Sequence, residues 1–311
     1  MRQVLASVVL IGVATTTGCG SLRARGKTSV ELIDMLEMPN TSRRARETAA
    51  LELARRPPAE VLPGVFRVYR RHANFILPLS YGPSKTPATS EELVALTAQR
   101  AWLLNLENAN YSRQDKGIVL LDLLVQWQAE ICHREDRPRP SIQALPGRYT
   151  GLVELLHGLR DNWVDGAEER LASIVANPAF ASGCRLTTAH VLVEKTQAKH
   201  IREVMDAARS APLDEQESYA RLLLDSGDGD HVIPPEWESR VMRYAVAVIH
   251  ALRAAYPDHP AGYFIARSME GHAGTTFTPK IDESSTREDF HRITVENALG
   301  WWQENQGRYP E

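Results

Sequence analysis

The chain is poor in the sequence patterns that carry recognisable chemistry. Its 311 residues include three cysteines, and its ten histidines are scattered, without the spacing of a zinc site or of a zinc protease. The sequence contains no P-loop, no serine-hydrolase elbow and no glycine motif for dinucleotides. These absences remove the enzyme classes that a short motif identifies, so the sequence alone indicates no reaction.

Excess charge and strand-like alternation are scarce as well. The formal net charge is -3, so the chain as a whole is not attracted to nucleic acid, and we expect no nucleic-acid partner. No segment alternates β-branched and polar residues between turns, as half-buried strands do. Hydrophobic residues make up 43% of the chain, which is ordinary for a globular protein. The sequence therefore predicts an all-α protein.

What the sequence does contain is a series of short amphipathic helices. The first is predicted from Ser29 to Met38 and the second from Arg43 to Arg56. The apolar stripe of the first helix is predicted to include Val30, Ile33 and Leu36. In the second helix the charged residues, Arg46 among them, are predicted to face solvent. Helices this short cannot bury their apolar stripes alone, so they require stacked neighbours.

Two of these segments carry a family resemblance. The run from Arg46 to Ala54, RETAALELA, resembles the second helix of a HEAT-type repeat, and the run from Arg185 to Val193, RLTTAHVLV, is similar. The resemblance implies an irregular, HEAT-like α-solenoid. No constant period crosses the middle of the chain. The alternative is an irregular helical domain in which alanine and leucine recur by chance.

Proline-rich segments suggest the organisation of the chain. Residues 29–134 are predicted to form N-terminal helical repeats, and the most apolar helix there follows Ser112 and buries Ile118 and Val125. Residues 135–148 are rich in proline and are predicted to be a linker. Residues 149–311 are predicted to form C-terminal repeats. Their tail, with a capping Ser285 and the pair Trp301-Trp302, is similar to the tail of some bacterial HEAT-repeat proteins.

The N-terminus has the features of a targeting segment. Arg2 is followed by an apolar stretch from Val4 to Ala14, which is too short to span a membrane. The sequence Thr16-Thr17-Gly18-Cys19 then resembles a bacterial lipoprotein signal. The resemblance implies a signal peptide over residues 1–18, a lipidated Cys19, a tether over residues 19–28, and an outer-membrane protein that faces the periplasm. The alternative is an ordinary secretory signal with an incidental cysteine.

The other two cysteines are consistent with export. Cys132 and Cys184 could pair in an oxidising compartment, or each could be buried separately as a small apolar residue. No catalytic, cofactor-binding or metal-binding residue is predicted. The acidic loop from Asp225 to His231 lacks the order of an EF-hand and is interpreted as a solvated turn. His250 with Asp258 and His259 is a second weak cluster.

The sequence favours a lipid-anchored envelope protein that presents a helical-repeat surface to a protein partner, without catalysis. One alternative is an envelope hydrolase whose histidine and carboxylate residues come together only in the fold. Another is a structural tether that joins the membrane to a second envelope layer through basic patches. The arginine-rich face that would serve such a tether comprises Arg43, Arg44, Arg46, Arg55, Arg56, Arg67, Arg70 and Arg71.

Overall fold

The computed structural model of the protein describes residues 24, 26–72, 89–132, 150–196, 199–225, 233, 235–257, 261–279 and 286–310. These residues form thirteen α-helices and no β-strand, so the prediction of an all-α fold is confirmed. The helices are α1 (Ser29–Glu37), α2 (Arg43–Leu53), α3 (Pro58–His72), α4 (Ser90–Glu107), α5 (Arg113–Cys132), α6 (Thr150–Asp161), α7 (Ala167–Ala176), α8 (Ser182–Thr196), α9 (Ile201–Ser210), α10 (Leu213–Asp225), α11 (Pro235–Ala255), α12 (Tyr263–Ala273) and α13 (Arg287–Asn305). A 3₁₀ turn, Gln306–Arg308, follows α13.

The chain divides into two compact units, the first of which contains α1 to α4 and the second α5 to α13. The boundary between them therefore precedes α5, which the sequence analysis had grouped with the N-terminal repeats. The predicted linker, residues 135–148, lies outside the described residues.

Unit 1 is a four-helix cluster in which α4 packs against α2 and α3. Its core includes Phe66 of α3 and Trp102 of α4, whose ring centroids are 5.5 Å apart. Asn105 of α4 donates hydrogen bonds to the carbonyl oxygens of Leu53 (3.3 Å), the last residue of α2, and of Arg56 (2.9 Å), in the turn after it. These bonds link the end of α2 to α4.

Three apolar residues that were predicted to be buried lie on the surface. Val30 of α1 is 67% exposed, and Ile118 and Val125 of α5 are 46% and 48% exposed. The buried apolar positions of α5 include Leu124 and Ile131, as the sequence predicts, together with Leu120 and Leu123. Hydrophobicity alone cannot choose between two apolar faces of one helix, because that choice depends on where the neighbouring helices lie.

The helices of unit 2 are arranged in a regular order. Helices α6, α8, α10 and α12 form a row, because each packs against the next. Helices α7 and α9 pack against each other and against α8, which places them in a second layer. Side-by-side packing of alternate helices is the arrangement that helical repeats adopt. A solenoid remains a prediction.

A disulfide and a close backbone approach hold the start of unit 2 together. Cys132 at the end of α5 is bonded to Cys184 in α8, and the two Cα atoms are 5.4 Å apart. The carbonyl oxygen of Cys132 also accepts a 2.8 Å hydrogen bond from the N–H of Ala181. Gly117 of α5 lies against the backbone of Asn162 so closely that a Cβ atom there would overlap the Asn162 carbonyl oxygen. Only glycine lets α5 approach that turn.

A buried basic residue recurs at the fourth position of three helices: Arg46 in α2, Lys116 in α5 and Arg185 in α8. These three residues are only 2%, 5% and 5% exposed, respectively. Arg46 donates to the carbonyl oxygen of Met38 and Arg185 to that of Val175, both at 2.8 Å. Each acceptor lies at the end of the preceding helix, where carbonyl groups lack helical partners. The charge-assisted bonds stabilise the turn between the two helices.

The prediction that Arg46 faces solvent is therefore wrong. Arg46 shares the buried face of α2 with Ala49, Ala50 and Leu53, at offsets of three, four and seven residues. The helical spacing of Arg46 from these residues places it on the buried face, whereas its charge favours exposure to solvent. A related contact occurs in α10, where the fourth residue, Gln216, donates from its side-chain amide to the carbonyl oxygen of Ala211 at 2.8 Å.

A carboxylate orders the turn after α12. Glu270 Oε1 accepts hydrogen bonds from the backbone N–H groups of Phe277 (2.8 Å) and Thr278 (3.0 Å) and from the Thr278 hydroxyl (2.8 Å). Burial alone would raise the pKa of Glu270, but these hydrogen bonds lower it on balance. Gly274 begins the turn in the left-handed region, with φ of 63°.

The turn after α12 places Phe277 against α13. Phe277 is buried, and its ring centroid lies 5.7 Å from that of Trp301. Trp302 is buried beside Tyr309, at 5.3 Å. The predicted cap at Ser285 lies outside the described residues. Helix α13 begins instead after Thr286, whose hydroxyl accepts a 3.1 Å hydrogen bond from the N–H of Asp289.

Candidate functional site

The row of α6, α8, α10 and α12 carries a continuous set of polar and aromatic side chains, which we call the cross-helix strip. It consists of His157 and Arg160 of α6, His190 and Glu194 of α8, Glu217, Arg221 and Asp225 of α10, and Phe264 of α12.

An ion-pair chain links α6 to α8. Arg160 Nε donates to Asp161 Oδ1 at 2.9 Å and lies 3.9 Å from Glu194 Oε1. The hydrogen bond that Arg160 donates to Asp161 raises the pKa of Arg160. His157, one turn before Asp161, has an exposed ring, but the protein around its other side lowers its pKa, with Arg160 adding to the effect. Asp161 and Glu194 oppose this shift.

Charges from α10 act on the histidine of α8. His190 is exposed, but partial desolvation by the neighbouring helices lowers its pKa, and Arg221 of α10 lowers it further. Asp225 and Glu194 oppose this shift. The imidazole of His190 thus lies within electrostatic range of one cation and two carboxylates that come from two different helices.

A cation–π contact links α10 to α12. The Arg221 guanidinium carbon lies 4.9 Å from the ring centroid of Phe264, and the phenylalanine is 48% exposed. An exposed contact of this kind contributes about 0.5–1 kcal/mol. Burial raises the pKa of Glu217, which lies one turn before Arg221. The charge of Arg221 opposes this shift. Arg221 therefore lies over an aromatic ring at the surface.

The strip combines the side chains that protein interfaces use most. Arginine and aromatic residues carry much of the binding energy at such interfaces. The strip is built on four helices whose mutual packing fixes its side chains, which reduces the ordering cost of binding. Its charges are mixed, so it can discriminate between partners by charge complementarity.

The structure places the other residues singled out by sequence as follows. Cys19 lies outside the described residues, and Cys132 and Cys184 form the disulfide described above. Asp225 ends α10, and the rest of the acidic loop up to 232 is outside the described residues. His250 is exposed on α11, whereas residues 258–260 are not described.

The arginine-rich face of unit 1 is largely occupied by internal contacts. Arg43 pairs with Glu47 at 3.0 Å, Arg55 with Glu52 at 2.9 Å, and Arg71 with Glu37 at 2.6 Å. Arg46 and Arg56 donate to the backbone carbonyls of Met38 and Lys27. Three of the eight arginines of this face are therefore paired with carboxylates, and two more are held by backbone carbonyls.

Two further features are absent from the part of the chain that the structure describes. No group there of three or more histidine, cysteine, aspartate or glutamate side chains could hold a metal ion. None of the helices in the described ranges has both the length and the apolar character that a membrane span requires.

No protein-family model matches the chain, and no curated protein or solved structure is significantly similar to it. The resemblances to HEAT-type repeats and to lipoprotein signals therefore remain predictions from the sequence.

Sequence reasoning did not find the cross-helix strip. Its members are spread over more than one hundred positions, from His157 to Phe264, and together they form no recognisable sequence motif. The usable signal in the sequence was the aromatic pair Tyr263-Phe264 at the start of a short helix. Which residues on other helices approach it depends on the packing of the row.

Proposed function

We propose that the protein presents the cross-helix strip to a protein partner in the cell envelope. The observation that carries this proposal is the row of α6, α8, α10 and α12, which brings His190, Arg221 and Phe264 onto one surface. A surface assembled from several packed helices is the kind of binding face that helical-repeat proteins use.

The proposed location is the periplasmic face of the outer membrane, with the chain held by lipid on Cys19. The sequence Thr17-Gly18-Cys19 after an apolar stretch supports a lipoprotein signal. The disulfide between Cys132 and Cys184 supports an oxidising compartment, because disulfides persist in the periplasm and are rare in the cytosol. Replacing Cys19 by alanine is expected to move the protein from the membrane fraction to the soluble fraction.

The partner proposal is tested by photo-crosslinking in intact cells. A photoreactive amino acid is placed singly at His190 or Glu194, in the strip, and singly at Arg202 of α9 or Arg253 of α11 as exposed controls. The proposal expects a covalent adduct with the same protein from both strip positions and a much lower yield from both controls. Equal yields from all four positions, or no protein adduct from the strip, would contradict it.

The hydrolase alternative remains a separate prediction. It requires that one histidine act on a substrate, and the exposed imidazoles of His157 and His190 beside carboxylates are the two positions to examine. Replacing both by glutamine should abolish turnover if the protein is such a hydrolase. The tether alternative predicts binding to isolated envelope fractions that Arg44→Glu and Arg67→Glu weaken together.

A further inference from the structure

The strip ends in a cluster of rings at the junction of α12 and α13, which we call the aromatic patch: Tyr263, Phe264, Phe290 and His291. The rings of Tyr263 and His291 are stacked, with centroids 3.8 Å apart. Tyr263 also contacts Phe264 at 5.2 Å and Phe290 at 5.9 Å. Because Tyr263 touches all three other rings, the patch is one continuous surface and not four separate residues.

The patch remains accessible although its rings pack together. Phe264 is 48% exposed, and Tyr263, Phe290 and His291 are each partly exposed. The tail of the chain makes its own aromatic cluster elsewhere, around Phe277, with the tryptophans of α13. Large rings are usually buried more completely than this when they serve only the core of a protein.

Two arginines border the patch. Arg221 lies over the Phe264 ring at 4.9 Å. Arg287 lies one helical turn before His291 on the same face of α13, and its charge adds to burial in lowering the pKa of that histidine. The border of the patch is therefore positively charged on two sides.

Several carboxylates lie near these arginines, among them Asp225 and Glu194, which act on His190 together with Arg221. Asp289 accepts hydrogen bonds from the Thr286 hydroxyl at 2.7 Å and from Arg292 at 3.1 Å. Glu288 follows Arg287 directly, and adjacent helical residues point in different directions. Glu217 is partly buried one turn before Arg221, and that burial raises its pKa.

We infer that the aromatic patch is the anchoring point of the proposed interface, and that it binds an acidic protein segment that carries an apolar or aromatic side chain. The apolar group packs on the exposed rings of Phe264 and Phe290. Carboxylates of the segment pair with Arg221 and Arg287. The inference rests on the proposed function, since it names the chemistry of the partner that the strip would receive.

The test uses the purified mature chain and a fluorescein-labelled peptide that alternates glutamate and phenylalanine. One control peptide has lysine in place of every glutamate, and a second has glycine in place of every phenylalanine. Fluorescence anisotropy is expected to show binding of the first peptide and at least tenfold weaker binding of both controls. Raising the salt concentration should weaken binding, because charges exposed at the surface are screened.

Variants locate the site. Phe264→Ala and Arg221→Ala are each expected to lower the affinity by about tenfold or more, as truncation of anchoring residues does. Leu51→Ala and Arg44→Ala are matched controls on α2, since Leu51 is 43% exposed and Arg44 is an exposed arginine of unit 1. Neither control should change the affinity. Circular dichroism of all four variants checks that each remains folded.

Binding of the lysine peptide as strongly as the glutamate peptide would overturn the inference, and so would patch variants that bind like the wild type. An absence of binding by the wild type would overturn it as well. The photo-crosslinking experiment decides the proposed function independently. A strip adduct together with failed peptide binding would leave the protein partner in place and reject only its acidic, aromatic character.

Discussion

Replacing both Cys132 and Cys184 by alanine is expected to lower the free energy of unfolding of unit 2 by about 4 kcal/mol. The disulfide closes a segment with a sequence separation of 52 residues. Chain-entropy treatment of a loop of this length gives about 4 kcal/mol at 25 °C, within the range of about 2–5 kcal/mol that native disulfides contribute. Both side chains are fully buried, so the small cavity left by two sulfur atoms adds to the loss.

The assay is urea denaturation of the oxidised protein, followed by far-ultraviolet circular dichroism. With a denaturant dependence of about 2 kcal/mol per molar urea, a loss of 4 kcal/mol lowers the midpoint by about 2 M. A reductant should shift the wild-type midpoint most of the way to that of the double variant, which also carries the cavity, and leave the double variant unchanged. If reductant does not move the wild-type midpoint, the disulfide does not stabilise unit 2 and the reasoning fails.

Three further predictions concern packing, the buried cations and pH. Gly117→Ala is expected to destabilise unit 2 by more than about 2 kcal/mol, because the new methyl overlaps the Asn162 carbonyl. Its control, Gly300→Ala, lies in open space on α13 and should stabilise the unit by about 0.5–1 kcal/mol. Arg185→Met should cost about 1–3 kcal/mol by leaving the Val175 carbonyl without its buried donor, whereas Arg202→Met on the surface of α9 should change stability little. Because the pKa of Glu270 is lowered in the folded protein, its contribution is present above the unfolded pKa and is lost as the pH falls below about 4; Glu270→Gln should remove that loss.

Thermal or urea unfolding measures all three effects. A Gly117→Ala variant as stable as the wild type would mean that α5 does not approach the turn after α6 as described. Equal effects of the substitutions at Arg185 and Arg202 would mean that the buried guanidinium does not stabilise the helix turn. An unchanged pH profile in Glu270→Gln would show that other carboxylates dominate acid unfolding.

The sequence predicted helix positions well where a turn signal stood beside a periodic stripe. The first helix was predicted from Ser29 to Met38 and spans Ser29–Glu37 in the structure. Thr28 caps it through a reciprocal pair of hydrogen bonds with Glu31. Local capping chemistry is readable from sequence because its partners lie within one turn.

Burial was less predictable, and the errors have physical causes. Val30 and Ile118 are apolar but exposed, whereas Arg46 is charged but buried. Side-chain hydrophobicity gave the wrong answer in each case, because the packing of neighbouring helices and the free carbonyls at helix ends decided the outcome. The contact between Arg221 and Phe264 could not be predicted either, since it depends on which helices of the row become neighbours.

Hydrogen–deuterium exchange of the protein, with and without the partner that crosslinking identifies, tests the central claim most directly. Exchange should slow on addition of the partner in the segments around His190, Arg221 and Phe264, which belong to α8, α10 and α12. The helices of the second layer, α7 and α9, should exchange at unchanged rates. Protection confined to α2 and α3 of unit 1, or absent from the row of α6, α8, α10 and α12, would contradict the account.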